Sequence, residues 1–322
     1  MKITNNLGLP EPFVRAVEAG EKKERVADYS VTEVIKPPRM LQLERRHKAE
    51  MVADASSRVW LLIGKAIHSV LEMAGVKVAG ELVEKTMVLT VELGSGAKRT
   101  VSGTPDNHTI IDGTLSDWKV TSVWSFLKDK PEWVAQLNLY KYMLEIVEKL
   151  EVQRIQIVAI LRDWSVTRSY EKNYPECAVA VLPLEIWTKG QTGSYLGERL
   201  ELHVAAETVP DSALPQCSPQ ERWEKPPTYA VKKPEAKSAY RNFRVADAGE
   251  APDPEARVFA TKEEAEAAAA SFIATQKKPS DYISEFRPGE STRCRYYCSA
   301  LPWCNQGKFL VPETKQAEVV HG

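Results

Sequence analysis

Asp106, Asp117 and Lys119 are the residues of this chain whose types and spacing could do chemistry. Asp106 follows Pro105, and after ten intervening residues the order is Asp117-Trp118-Lys119. Two carboxylates can hold a hard divalent cation through oxygen ligands. A lysine beside them can steady an attacking water or a developing negative charge. The backbone between them has to bring the three together. Asp112-Gly113 lies between two apolar-alternating runs, which is a hairpin signal. Asp106 then falls near the start of one strand, with Asp117 and Lys119 on the next. Strand side chains alternate, so Asp117 and Lys119 share a face. The competing reading is a surface hairpin whose charges are only solvated, and so short a pattern does not decide alone.

The flanking elements carry further candidates. Val59, Leu62, Ile63, Ala66, Ile67, Val70 and Leu71 recur at helical spacing over 56–74, and Gly75 suits the stop. Gly64, His68 and Glu72 share one face of that helix. His68 reads either as a hydrogen-bonded core histidine or as a metal ligand. Residues 81–92 and 97–102 read as two strands around Gly94-Ser95-Gly96. Pro131 opens a helix to about residue 150, on which Gln136 and Tyr140 face together. A surface amide beside a packed ring would give the same spacing. Residues 155–161 form an apolar run fit for a buried strand. A strand over 179–187 and a helix over 194–206 follow.

Composition sets the frame. The chain has 322 residues, 43% hydrophobic and 27% charged, enough for a sizeable core in one large domain with an appended small one, or in two. No apolar run approaches the ~20 residues of a membrane span. The N-terminus has no apolar signal region. The expectation is a cytoplasmic protein with no membrane partner. A net charge of -1 gives no bulk argument for nucleic acid, so any such argument must be local. Residues 1–28 are polar and expected to be loosely ordered. Ser30-Val31-Thr32-Glu33 is a capping box for a short helix that Pro37 and Pro38 end.

Pro210, Pro215, Pro219, Pro226 and Pro227 mark a connector. From 222 to 244 there are seven basic residues against two acidic, a net +5, interleaved with Trp223, Tyr229, Tyr240 and Phe243. That mixture suits a single strand of nucleic acid, through phosphate attraction and base stacking, with Lys232, Lys233, Lys237 and Arg241 as the phosphate contacts. The other reading is a small domain with a charged face and an aromatic core. Thr261-Lys262-Glu263-Glu264 caps an Ala-rich helix, making 220–278 a small β-β-α module. Cys294, Cys298 and Cys304 crowd together near the end. In a cytosolic chain such a triplet reads as a metal or cluster site rather than disulfides. Cys217, at the start of the module whose end carries the triplet, is the preferred fourth ligand, ahead of Cys177. Three unligated thiols remain the alternative.

Four stretches occur in one order: Gly64-Lys65-Ala66-Ile67-His68, Gly103-Thr104-Pro105-Asp106, Asp117-Trp118-Lys119 and Gln136-Leu137-Asn138-Leu139-Tyr140. Together they resemble the RecB-like branch of the PD-(D/E)XK nuclease superfamily, which includes CRISPR-associated and phage-encoded exonucleases. The motifs span 64–140, and the wider order of elements covers about 30–205. The resemblance implies an α/β fold, with a mixed central sheet flanked by helices. It implies that His68, Asp106, Asp117 and the carbonyl of Trp118 ligate Mg²⁺ or Mn²⁺. Lys119 would position and activate water, and Gln136 and Tyr140 would orient the site and its phosphate. The implied activity is a metal-dependent DNA exonuclease, phage- or prophage-encoded, in recombination or end processing, with a recombination or annealing protein as partner. A structure-selective endonuclease and a non-catalytic DNA-binding or assembly protein are the alternatives. The resembling exonucleases often hold a 4Fe–4S cluster on three cysteines after the core and one before it. This chain departs from that plan. It has no cysteine before Cys177, and residues 35–38 read Ile-Lys-Pro-Pro. Zinc on the same sulfurs is the rival to the cluster. The expected organisation is an N-terminal helical segment (1–50), a nuclease core (51–206), the β-β-α module (207–285), the cysteine segment (286–311) and a tail (312–322).

Overall fold

The computed structural model describes residues 1–19, 25–75, 79–128, 130–247 and 250–311. The expected tail lies outside them. The chain divides into two compact units, one ending at Pro215 and the other beginning at Gln216. The cysteine segment therefore belongs to the second unit together with the module, and residues 1–50 belong to the first. Among the described residues no helix is long and apolar enough to cross a membrane.

The first unit opens with β1 (Lys2–Thr4), α1 (Glu11–Ala19), β2 (Tyr29–Ser30), α2 (Val31–Val34), α3 (Pro38–Arg46) and β3 (Val52–Asp54). Residues 1–19 are thus ordered elements, against the expectation of a loose start, and β1 pairs in parallel with β3. The capping box is present in both directions: Glu33 N donates to the Ser30 hydroxyl, and Ser30 N donates to the Glu33 carboxylate. Such a cap contributes about 1 kcal/mol. The two prolines end α2 and also begin α3, because Pro38 occupies the first helical turn, where a missing N–H costs nothing.

Next come α4 (Val59–Gly75), β4 (Glu81–Val83), β5 (Met87–Glu92) and β6 (Lys98–Gly103). The apolar residues of α4 are not a buried stripe: Trp60, Leu61, Ile63, Val70 and Met73 are exposed. The run 81–92 is not one strand either. Glu84 takes a left-handed φ of 47° and turns the chain, so that β4 and β5 enter different sheets. β7 (Asn107–Thr109) and β8 (Thr114–Thr121) form the expected hairpin, in register Asn107↔Ser116 and Thr109↔Thr114. Gly113 has φ 64°, and a Cβ there would lie 3.1 Å from the backbone N of Gln153, so both conformation and space require glycine. Then follow α5 (Val123–Phe126), α6 (Pro131–Met143), β9 (Arg154–Leu161), β10 (Val179–Pro183) and α7 (Lys189–Glu207). A π-helical turn extends α6 over Leu144–Glu148, and β10 stops short of the expected residue 187.

The unit is mixed α/β. Its main sheet has the order β10-β9-β8-β7-β4, with β8 and β9 parallel and the other pairs antiparallel. A second sheet runs β2-β6-β5. Helices cover the sheets, and Leu115, Leu137, Leu139, Met143, Ile155 and Ile157 lie fully buried between them. Burial alternates along β9, with Ile155, Ile157, Ala159 and Leu161 inward.

The second unit contains β11 (Glu224–Lys225), β12 (Thr228–Lys232), β13 (Arg241–Val245), β14 (Val258–Phe259), α8 (Lys262–Ala274), β15 (Ile283–Arg287), β16 (Glu290–Ser291), α9 (Thr292–Tyr296) and α10 (Asn305–Leu310). The expected β-β-α module is enlarged to a four-stranded sheet, β14-β13-β12-β15, with α8 packed on it. The small side chains of Ala265 and Ala269 are fully buried and let α8 approach Val231 and Phe243 closely.

Candidate metal centre

Asp117 and Lys119 stand on the β8 face shared with buried Leu115, and α6 lays Gln136 and Tyr140 against the same strand. The Lys119 ammonium contacts Asp117 Oδ2 at 2.5 Å and donates to Gln136 Oε1 at 3.3 Å. Gln136 Nε2 donates to Asp117 Oδ1 at 3.2 Å and reaches the Tyr140 hydroxyl at 3.3 Å. The amide thus turns its carbonyl to the cation and its NH₂ to the carboxylate, the only assignment both charges accept. Asp117 is 1% exposed, and its Oδ2, although in ion contact, accepts no well-directed hydrogen bond. Burial pushes the Asp117 carboxyl up, the Lys119 charge opposes this, and the Asp106 charge adds to it. Burial, and then the negative charge of Asp117, also raise the Tyr140 phenol, so it stays a neutral hydroxyl.

Asp106 lies just before β7, opposite Asp117. Its Oδ2 accepts from Trp118 N at 2.7 Å, which ties the carboxylate to the strand that carries Asp117. His68 comes from α4. Its Nε2 is 3.0 Å from the Trp118 carbonyl, and its Nδ1 is 3.4 Å from Asp106 Oδ1 and 3.8 Å from Glu84 Oε1. The Asp106 and Glu84 carboxylates hold the imidazole pKa up to about 10, against the opposing cost of burial. An oxygen acceptor faces each ring nitrogen, an arrangement that favours the protonated ring while no metal takes its place. One ligand atom from each of His68, Glu84 and Asp106 lies within 4.8 Å of the other two, close enough to share an ion.

The structure therefore brings together His68, Asp106, the Trp118 carbonyl, Asp117, Lys119, Gln136 and Tyr140, from α4, the β7–β8 hairpin and α6. Glu72, which shares the His68 face, is exposed and stands outside this set. Glu84 is the residue that sequence reasoning missed. It falls inside the run 81–92 that reads as one strand, and nothing local marks the turn that swings it inward. Its backbone N donates to Asp106 O at 3.2 Å, which locks the two acidic residues together. Gly103, in the second motif, lets the α6 residues close in: a Cβ there would lie 2.7 Å from Met143 Sδ and 3.1 Å from Tyr140 Cδ1. The donors are carboxylate and carbonyl oxygens with one imidazole, and the buried Asp117 Oδ2 lacks a directed partner. That set fits Mg²⁺ or Mn²⁺ better than a thiophilic metal.

In the second unit Cys294 and Cys304 are buried, and Cys217 and Cys298 partly so. The Cys217 thiol is pushed up to about 12, first by burial, then by Glu221 and by the charges of Cys304, Cys298 and Cys294. The other three thiols are thus within electrostatic range of Cys217. The Gln306 side chain clamps the Cys217 backbone, accepting from its N at 2.8 Å and donating to its O at 3.0 Å. Gly307 N donates to Cys304 Sγ at 3.3 Å. Among the described residues, no three thiols approach as closely as the ligand atoms of His68, Glu84 and Asp106 do. Cys177 belongs to the first unit, where its exposed thiol donates to Val179 O at 2.8 Å.

The basic stretch is less available than its composition suggests. Lys232, a phosphate contact by the sequence reading, has a side chain only 13% exposed and is ion-paired with Glu285 at 2.5 Å, across the β12–β15 pairing. Arg241 is exposed and lies over the Tyr240 ring at 4.5 Å, while Lys233 and Lys237 are exposed in the β12–β13 connection. Tyr240 and Phe243 pack on Phe272 of α8, so these aromatics form core contacts.

No family model and no curated protein matches the chain. Among solved structures, the crystal structure of SSO0001 is similar over 59% of this chain and 84% of that one, with 16% sequence identity and a TM-score of 0.43.

Proposed function

We propose that the first unit is a Mg²⁺- or Mn²⁺-dependent nuclease that hydrolyses DNA phosphodiester bonds. One observation carries the reading: His68, Asp106, Asp117, Lys119 and Gln136, from elements far apart in sequence, form one linked set of ionic and hydrogen-bonded contacts around a buried carboxylate. Asp106, Asp117, the Trp118 carbonyl and His68 would hold the ion. When bound, that ion would supply Lewis acidity at the phosphoryl oxygen and a water of lowered pKa. Lys119, steadied by Gln136 and Asp117, directs its ammonium to the attacking water and to the charge that develops on phosphate. Gln136 keeps Lys119 and Asp117 in register, and the Tyr140 hydroxyl holds Gln136. His68 must give up one proton to act as a ligand, and Asp106 and Glu84 are the neighbours that now stabilise that proton.

Exonuclease action, in recombination or end processing, is the finer form of this reading. The experiment compares end-labelled linear DNA with closed circular DNA, each with Mg²⁺, with Mn²⁺ and with chelator. Metal-dependent release of label from linear DNA alone supports an exonuclease. Nicking of circles supports the structure-selective endonuclease instead. Inertness on both would leave a DNA-binding or assembly protein.

The thiols of Cys217, Cys294, Cys298 and Cys304 suit a second centre, a 4Fe–4S cluster or zinc, because the three late cysteines are close in sequence and each acts electrostatically on Cys217. Iron and zinc analysis of anaerobically purified protein decides between them, and the absence of both removes the second centre.

A further inference from the structure

Two tryptophans are exposed where the chain leaves β8 and β9: one follows β8 in sequence, and the other lies under an arginine that follows β9. Trp124, on α5, is 70% exposed, and Trp60, in the first turn of α4, is 49% exposed. Each carries a cation on its ring: Lys128 Nζ is 4.7 Å from the Trp124 centroid, and the Arg162 guanidinium is 4.1 Å from the Trp60 centroid. Two hydrogen bonds join the segment that carries Trp124 to the segment that carries Arg162. Arg162 N donates to Thr121 O at 2.9 Å, and Val123 N donates to Asp163 Oδ1 at 2.7 Å. The end of β8, the start of α5 and the end of β9 are therefore one connected edge, and Trp60 leans on it through Arg162.

The same edge leads to the metal centre from both sides. Thr121 is about 7 Å along β8 from Lys119. His68 is about 12 Å along α4 from Trp60. Single exposed apolar side chains are ordinary, but two tryptophans that each carry a cation beside one connected edge are candidates for a binding surface. Arg162 and Lys128 are also exposed, so the edge is cationic as well as aromatic, with Asp163 the acid held to Val123. Flat π-faces beside cations match a phosphate backbone whose bases are free to stack. In a duplex those base faces are already covered by their neighbours.

We infer that Trp60 and Trp124, with Arg162 and Lys128, form a stacking platform that delivers an unpaired nucleic-acid strand to Asp117 and Lys119. The inference rests on the nuclease reading and names its substrate as single-stranded.

The test measures fluorescence anisotropy of a labelled oligothymidylate, and of a blunt duplex of equal length, against the full chain in chelator. The wild type binds the single strand more tightly. Trp60→Ala and Trp124→Ala each weaken that binding by about tenfold and leave duplex binding nearly unchanged, as loss of one stacked base predicts. Trp60→Phe and Trp124→Phe retain most of it. Unchanged single-strand affinity in both alanine variants overturns the platform, and so does an equal loss on duplex. If Trp124→Ala instead abolishes self-association in sedimentation while oligonucleotide binding is unmoved, the edge is an interface between copies and the inference is wrong. Stacking as expected but no metal-dependent cleavage by the wild type upholds the platform and overturns the nuclease reading alone. Cleavage without any effect of the tryptophans does the reverse.

Discussion

The two units treat charge in opposite ways. In the first, charged residues scattered from His68 to Lys119 are drawn to one point, and their carboxylates are held by other parts of the same centre. In the second, a run with a net charge of +5 in sequence is largely paired once folded. Lys232 meets Glu285, Lys225 meets Glu290, Arg244 meets Glu250, and Arg222 meets Glu224. Two of those acids, Glu285 and Glu290, lie outside the basic run, on strands that reach it only by folding. Density of charge along a sequence is therefore a poor guide to the field in space, whereas a few dispersed ionisable residues can make a strong one. Strong local fields are the mark of sites that do chemistry.

The sharpest way to break this contrast is at its buried carboxylate. Asp117→Asn should lower metal-dependent cleavage by at least 10²–10³-fold. The same change should raise the melting temperature of the metal-free protein, because burial disfavours the carboxylate that it removes. Rates and melting curves on one preparation check both.

Gly103→Ala should do less, and by a different route. The added methyl meets Met143 and Tyr140, so overpacking should cost about 1–3 kcal/mol and displace the hydroxyl that holds Gln136. A lower melting temperature together with slower cleavage is the expected pair.

Next is the proton on His68. Its pKa is raised from the ordinary 6.5 to about 10, so its stabilising contribution is complete below about pH 6.5 and is lost as pH rises through about 10. A metal that takes the ring must displace that proton. Mn²⁺ affinity should therefore rise with pH between these limits, with about one proton released per ion. Calorimetry in buffers of different ionisation enthalpy measures the release, and Glu84→Gln should reduce it by removing one of the two carboxylates at Nδ1.

The smallest effects belong to the second unit. Cys217→Ser should lower bound iron or zinc while Cys177→Ser leaves it unchanged, as metal analysis of the two variants will show. Replacing Lys233, Lys237 and Arg241 should flatten the salt dependence of DNA binding by at most ~0.9 per phosphate contact. Lys232→Ala should leave that slope alone, because its ammonium already answers Glu285.

What the sequence made legible were features with a local cause. Asp112-Gly113 sets its own turn, and the Ser30/Glu33 and Thr261/Glu264 boxes cap their own helices. Periodicity places Asp117 with Lys119 on one strand face and Gln136 with Tyr140 on one helix face, whereas their meeting with His68 and Asp106 is legible only through the resemblance that the order of motifs carries. Glu84 was not legible, since its inward turn depends on a left-handed backbone held by Asp106 O. Nor was the outward face of α4, whose apolar spacing is that of a buried helix. β15 was missed because its pairing with β12 is a contact at long range in sequence.

The most direct test of the central claim is single-turnover cleavage of an end-labelled DNA strand in Mn²⁺ by the wild type and by Asp117→Asn. The account predicts rapid, chelator-sensitive cleavage by the wild type, and a loss of at least 10²–10³-fold in a variant that remains folded. Equal rates in the two proteins would contradict it.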